Sequence, residues 1–146
     1  MKIENPGPPP YYATKTVTLT GADNLGELDA PTISVFTVTG EVLIERMVPT
    51  CIVDLVSAGG GTLIQGITGS TSLFLGATTA TALDAGELWI TTTPTVAGLA
   101  LPAAFKDIVI TADIIWTVAT ADITAGEVRC DLWWRPLSPD GNVTPA

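Results

Sequence analysis

The residues that could carry chemistry in this chain are carboxylates, and no histidine accompanies them. The sequence contains no histidine at all, which excludes Ser-His-Asp and Cys-His arrangements. Paired carboxylates could still act as acid and base, as they do in glycoside hydrolysis. The candidates lie in the first long loop and near the C-terminal strand pattern: Asp23, Glu27, Asp29, Asp113, Asp122 and Asp131. No spacing among them identifies a catalytic pair, so we predict that the protein is not an enzyme.

Metal and cofactor sites have equally little support in the sequence. Residues 23–29 (DNLGELD) offer oxygen ligands, but they lack the D-x-D-x-D-G pattern and the terminal glutamate of an EF-hand. The glycine run at 59–61 is followed by neither lysine nor a helical pattern, so it predicts a turn and not a phosphate cradle. For Cys51 and Cys130 we favour two free buried thiols over a disulfide. We predict no cofactor and no metal.

Composition limits the partners. The chain has 146 residues, 47% hydrophobic and 14% charged, with a net charge of −9. Its six basic residues are scattered, which disfavours binding to nucleic acid and to an anionic membrane surface. The long uncharged runs are interrupted by glycine and proline, so no membrane span is predicted. The low charge has two interpretations that are compatible with each other: a surface made largely of Thr, Ser and Gly, or a surface partly buried against a partner. A weakly charged surface also suits a homo-oligomer.

Strand patterns dominate the chain. About eight to ten short segments alternate apolar and polar residues between turn formers, and no segment has a convincing helical period. We therefore predict an all-β fold, a β-sandwich, with a jelly roll and an immunoglobulin-like arrangement both open. Residues 1–12 predict an extended proline-rich N-terminal arm, and residues 13–146 a single β-sandwich domain. Within it we expect a strand over 83–92, a loop over 93–105 and a turn-rich tail over 138–146.

The clearest pattern runs from Ile108 to Pro136 and predicts a β-hairpin. One period-2 set is Ile108, Ile110, Ala112, Ile114, Trp116 and Val118, and the other is Val128, Cys130, Leu132 and Trp134. Because alternate side chains of a strand point to opposite faces, each set predicts a buried face.

The opposite face of the last strand carries the candidate binding residues. Trp133 falls there among charged residues, and Trp89 is likewise placed opposite Leu88 and Ile90. An outward tryptophan can be covered within the protomer, can anchor a subunit interface, or can stack on a carbohydrate. The candidate interface residues are Pro8, Pro9, Pro10, Tyr11, Tyr12, Trp89, Arg129, Trp133 and Arg135.

Three segments resemble a known class of phage protein. Residues 117–126 (TVATADITAG), 132–143 (LWWRPLSPDGNV) and 83–89 (LDAGELW) are similar to small virion proteins encoded beside the capsid genes of tailed bacteriophages, which end in an aromatic–Arg–Pro–Leu run and a glycine turn. The resemblance covers the latter half of the chain. It implies a head decoration (cement) protein, a trimer whose partner is the major capsid protein, located on the outer surface of the capsid.

Properties of the chain agree with that role. An acidic protein suits the outside of a shell better than its DNA-facing lumen, and an extended arm can reach a neighbouring capsomer. Two alternatives stay open: a carbohydrate- or receptor-binding virion module, and a tail or fibre structural protein.

Overall fold

The computed structural model describes residues 10–96 and 98–146, and the prediction of an all-β sandwich is confirmed: two antiparallel sheets pack together. The strands are β1 (Tyr11–Thr18), β2 (Ile33–Thr39), β3 (Val42–Val56), β4 (Thr62–Ile67), β5 (Ser70–Thr79), β6 (Glu87–Leu88), β7 (Thr95–Val96), β8 (Lys106–Ile110), β9 (Ile114–Ala119), β10 (Ala125–Pro136) and β11 (Asn142–Pro145). Short 3-10 helices span Ala80–Ala82 and Ala103–Phe105. No helix in the described ranges is both long and apolar enough to cross a membrane.

The eleven strands of the described residues are divided between a front sheet and a back sheet. The front sheet has the order β1-β10-β3-β6-β7, with β8 also paired to β3, and the back sheet has the order β11-β2-β9-β4-β5. Many successive strands lie in opposite sheets, as β2, β3 and β4 do, so the chain repeatedly crosses the core. The long antiparallel pair of β3 and β10 forms the centre of the front sheet. The jelly-roll arrangement stays a prediction.

The core lies between the inner faces of the sheets. Its largest fully buried side chains are Trp89, Trp116, Phe36, Phe105, Leu19, Ile44 and Met47. In β10 the predicted face is confirmed, because Val128, Cys130, Leu132 and Trp134 are all buried. Of the three residues between them, Arg129 and Trp133 reach the surface and Asp131 is buried as well. Burying each large apolar side chain contributes about 1.5–3 kcal/mol, which favours this orientation of the strand.

The predicted hairpin from Ile108 to Pro136 is wrong. β8 pairs with β3 in the front sheet, β9 belongs to the back sheet, and β10 returns to the front sheet. The chain crosses between the sheets at residues 111–113, where the Asp113 carboxylate accepts a hydrogen bond from the Val38 amide at 2.8 Å. The alternation continues across this break because both sheets bury side chains in the same core.

Other element predictions need smaller corrections. The strand expected over 83–92 is reduced to Glu87–Leu88, and the loop expected over 93–105 contains β7 and a 3-10 helix. The tail expected over 138–146 ends in β11, which pairs with β2. β1 begins at Tyr11, inside the expected arm, and residues 1–9 of that arm lie outside the described residues.

Candidate functional site: an aromatic and cationic patch

The outer face of the front sheet carries a row of four side chains from four adjacent strands. In the strand register Tyr12 lies opposite Trp133, Trp133 opposite Arg46, and Arg46 opposite Lys106. Neighbouring strands are about 4.8 Å apart, so the row is about 14 Å wide. We call these four residues, with Arg129 and Asp131 beside them, the aromatic–cationic patch.

Asp131 is the polar centre of the patch. The residue is only 9% exposed, and its carboxylate accepts hydrogen bonds from Tyr12 Oη at 2.6 Å, Thr14 Oγ1 at 2.9 Å and Arg129 Nε at 2.9 Å. These donors come from β1 and from β10 itself. A charged group so poorly exposed is tolerated because its lone pairs are matched by donors. The network therefore attaches the edge strand β1 to the centre of the sheet.

The network shifts two pKa values in opposite directions. Burial by itself raises the pKa of Asp131, but the hydrogen bonds from Tyr12, Thr14 and Arg129 and the positive charge of Arg129 outweigh it and hold that pKa below its ordinary value. The hydrogen bond that the Tyr12 hydroxyl donates to Asp131 raises the pKa of Tyr12. At neutral pH Asp131 is thus ionised and Tyr12 is neutral, which is the pair of states that the hydrogen bond requires.

Trp133 is half-buried and is flanked on two sides. The Arg46 guanidinium carbon lies 4.4 Å from the ring centroid, in cation–π contact. The Tyr12 ring packs from the opposite strand, with centroids 5.1 Å apart and planes tilted by 48°. A sugar would have to displace one of these neighbours in order to stack on the indole. This geometry disfavours a carbohydrate platform and suits a preorganised protein contact.

Arg135 lies at the rim of the patch and is held by a carboxylate. A bulge in the pairing between Trp133 and Trp134 shifts the register against β3, so Glu45 has no direct cross-strand partner in β10. The Arg135 guanidinium donates to that Glu45 carboxylate. Arg135 is therefore placed beside the patch as predicted, but its charge is compensated locally.

The structure separates the remaining predicted interface residues. Tyr11 lies on the other face of β1, where its ring stacks on Trp134 with centroids 4.9 Å apart, and it is 58% exposed. Pro10 is half-buried immediately before β1. Pro8 and Pro9 lie outside the described residues.

The placement of Trp89 at an interface is corrected. Its side chain is fully buried and meets Trp116 edge-on, with centroids 5.2 Å apart. Its carbonyl accepts a 2.8 Å hydrogen bond from the buried Gln65 side chain. The period-2 argument failed because β6 ends at Leu88, so Trp89 no longer follows the alternation of a strand.

Sequence reasoning missed part of the patch. Thr14 shares a face with Tyr12 by simple alternation and could have been found. Arg46 and Lys106 carry no local signal, because their position beside Trp133 depends on pairing between strands distant in sequence. Asp131 shares a face with Trp133 by alternation in β10, but its three donors could not be inferred from the sequence.

The acidic segment 23–29 is an ordered loop and gathers no metal ligand set. Among the described residues no group of three or more acidic, histidine or cysteine side chains is placed to hold a metal ion. Two carboxylates instead accept hydrogen bonds from the loop backbone: Glu27 of the loop accepts from the Asn24 amide at 2.6 Å, and Asp122, from the segment before β10, accepts from the Leu28 amide at 2.7 Å. The loop is thus fixed both internally and against residues near Asp122.

Comparison of the chain with models of protein families, with curated proteins and with solved structures gives no match. The arguments about function therefore start from the patch itself. Its side chains combine two aromatic rings with exposed cations, and hydrogen bonds or ring contacts fix most of them.

Proposed function

We propose that this protein is a structural virion protein that binds the outer surface of a tailed-phage capsid and stabilises the lattice as a decoration or cement subunit. The observation that carries the proposal is the row of Tyr12, Trp133, Arg46 and Lys106 on an open sheet face. Tyrosine, tryptophan and arginine are the residues most enriched at protein interface hot spots. The resemblance of residues 117–126 and 132–143 to phage head proteins suggests that the assembly it joins is a phage capsid.

The rigidity of the patch supports a role in protein contacts. An interface side chain that is free before binding loses about 0.5–1.5 kcal/mol of conformational entropy when it is fixed. In this protein the Tyr12 hydroxyl is already hydrogen-bonded to Asp131, and the Trp133 ring is already packed between its neighbours. Much of that cost is therefore met during folding, which favours tight binding from a small area.

The stabilising mechanism is mass action. A subunit that binds only the assembled lattice and bridges neighbouring capsomers stabilises it by about 2.7 kcal/mol per site when its free concentration is 100 times Kd. In this proposal the arm that precedes β1, residues 1–10 with Pro8, Pro9 and Pro10, contacts the major capsid protein of a neighbouring capsomer. The patch joins subunits of a homo-oligomer, a trimer according to the resemblance.

Co-sedimentation with empty capsids, assembled from the major capsid protein of the same genome, tests the proposal. We expect the full-length protein to sediment with capsids at saturable stoichiometry. We expect a variant lacking residues 1–9 to bind at least tenfold more weakly while keeping its fold, because β1 begins only at Tyr11. Thr37→Ala, at an exposed residue of β2 in the back sheet, is the control.

Two outcomes would overturn parts of the proposal. Full-length protein that stays in the supernatant at every concentration refutes the decoration role, and association with tails in place of heads would favour the tail or fibre alternative. Undiminished binding of the truncated variant refutes the role of the arm.

A further inference from the structure

Charge is distributed unevenly over this acidic protein. Of the six basic residues, Arg46, Lys106, Arg129 and Arg135 lie in or beside the patch. Between Lys15 and Arg46 the chain has no basic residue, and this stretch includes the acidic loop 23–29. The molecule therefore has a cationic region on a background of net charge −9.

Two cations of the patch lack a local counter-charge. Arg129 is paired with Asp131, and Arg135 with Glu45. Arg46 and Lys106 lie directly opposite each other on β3 and β8, and within the described ranges neither has a carboxylate partner. Like charges in this cross-strand position destabilise a sheet. An anionic surface placed over the pair would relieve that repulsion.

The acidic loop 23–29 carries negative charge that complements the cations of the patch. Asp23 and Asp29 are exposed, and the intervening Leu28 is 38% exposed although it is apolar. The loop is fixed from below, since the Leu28 amide donates to Asp122 and the Ile123 amide donates to the Gly26 carbonyl at 2.7 Å. It thus presents two carboxylates and one apolar side chain in a defined arrangement.

The loop and the patch of one molecule cannot meet. Tyr12 is near the start of β1, and the loop follows the end of the same strand beyond Thr18. Six residues of extended strand span about 20 Å, and the strand is fixed along its length to β10. A contact between the two surfaces is therefore possible only between different molecules.

We propose that the patch binds the acidic loop of a second copy of this chain, head to tail. Carboxylates of Asp23 and Asp29 lie against Arg46 and Lys106, and Leu28 packs against the exposed edges of Tyr12 and Trp133. Because each copy uses two different surfaces, the contact is heterologous, and repetition of it closes a ring or extends a filament. The inference rests on the patch being a protein interface, as proposed above, but it does not require a capsid.

Sedimentation velocity of the purified full-length chain tests the inference. We expect a concentration-dependent oligomer that weakens at least tenfold in Kd when NaCl is raised from about 50 mM to about 500 mM, because the contact depends on exposed charges. Lys106→Glu, which breaks the patch, and Asp29→Lys, which breaks the loop, should each raise Kd at least tenfold. Thr37→Glu and Thr37→Lys, on the exposed outer side of the back sheet, are the matched controls and should leave Kd unchanged.

Mixing the two broken variants gives the decisive result. The Lys106→Glu chain keeps an intact loop and the Asp29→Lys chain keeps an intact patch, and the two altered surfaces again carry opposite charges. An equimolar mixture should therefore regain the association that each variant alone has lost. A patch that pairs with another patch would instead leave Asp29→Lys fully associated, and that outcome overturns the inference. A mixture that stays monomeric overturns it as well.

The same measurements separate this inference from the decoration role. Wild-type protein that is monomeric in solution but sediments with capsids overturns the head-to-tail contact and leaves the decoration role standing. An oligomer that shows the expected charge dependence but does not sediment with capsids supports the head-to-tail contact and overturns the decoration role.

Discussion

Replacing Asp131 with asparagine should remove about 2–3 kcal/mol from the free energy of unfolding at pH 7. The side chain keeps its shape but loses its charge, and its amide nitrogen cannot accept a hydrogen bond. If the amide oxygen keeps the bonds from Tyr12 and Thr14, the amide nitrogen faces Arg129 Nε, and the ion pair at 2.9 Å is lost. A hydrogen bond to a charged group contributes about 1.5–3 kcal/mol, and the two remaining bonds weaken to about 1 kcal/mol each. Exposure of the Arg129 side chain, 46%, limits the loss because water can replace part of it.

Urea unfolding followed by tryptophan fluorescence measures this change. Tyr12→Phe is the companion variant, since it removes one donor and leaves the carboxylate ionised. If the network is cooperative, the double variant should lose less than the sum of the two single losses, by at least about 0.5 kcal/mol. A loss below about 0.5 kcal/mol for Asp131→Asn would refute the view that this carboxylate attaches β1 to the sheet.

The pH dependence gives an independent check with a fixed sign. The pKa of Asp131 is lowered in the folded state, so its contribution is present above the unfolded pKa of about 3.9 and is lost as pH falls through the lower folded value. The stability difference between wild type and Asp131→Asn should therefore shrink below about pH 4. The pKa of Tyr12 is raised, so its contribution is present below about pH 10 and is lost as pH rises through the folded value. A wild-type advantage that grows on acidification would contradict this account.

Three further predictions concern the core, a loop glycine and the tryptophans. Cys51 and Cys130 are fully buried, and burial raises the pKa of the Cys51 thiol to about 11. Both thiols should therefore resist alkylation at pH 8 until urea is added. Rapid alkylation of the folded protein would contradict this prediction. Gly26→Ala should cost about 3 kcal/mol or more of stability, because the φ of Gly26 is +103° and an added Cβ would lie 2.2 Å from a neighbouring backbone carbonyl oxygen. Gly60→Ala, with a φ of +71° and open space around the added Cβ, should cost only about 1 kcal/mol. Equal losses of stability in urea unfolding would refute the packing argument. Acrylamide should quench mainly Trp133 among the four tryptophans, and quenching unchanged by Trp133→Phe would show that another indole is exposed.

Alternation predicted which side chains are buried much better than which strands pair. The sets that begin at Ile108 and at Val128 were expected on buried faces of one hairpin, and in β10 all four members are buried. The pairing was wrong because a residue facing the core of a sandwich follows the same alternation in either sheet. Only the break at residues 111–113, with Asp113 bonded to β2, reveals the crossing, and that bond joins residues 75 positions apart in the chain.

The patch was predictable only along single strands. Arg129 and Trp133 share a face of β10 by period 2, and Tyr12 was named for its aromatic type. Arg46 enters the site because β3 pairs with β10 in a register that includes a bulge, which no local pattern encodes. Long-range register therefore supplied both the cation over Trp133 and the uncompensated pair of Arg46 with Lys106.

Trp89 and Trp133 show where the alternation argument holds. Both were expected to point outward by the same reasoning, yet Trp89 is fully buried and Trp133 is half-buried on the outer face. Trp133 lies in a strand of 12 residues that is paired on both sides, so its direction is set by a continuous ladder. Trp89 follows a strand of two residues, and beyond the ladder the position of its ring is decided by burial of its large apolar surface. A tryptophan that alternation places outward predicts a binding surface only when the alternating segment is long enough to be paired on both sides. Of Trp89 and Trp133, only Trp133 meets this condition.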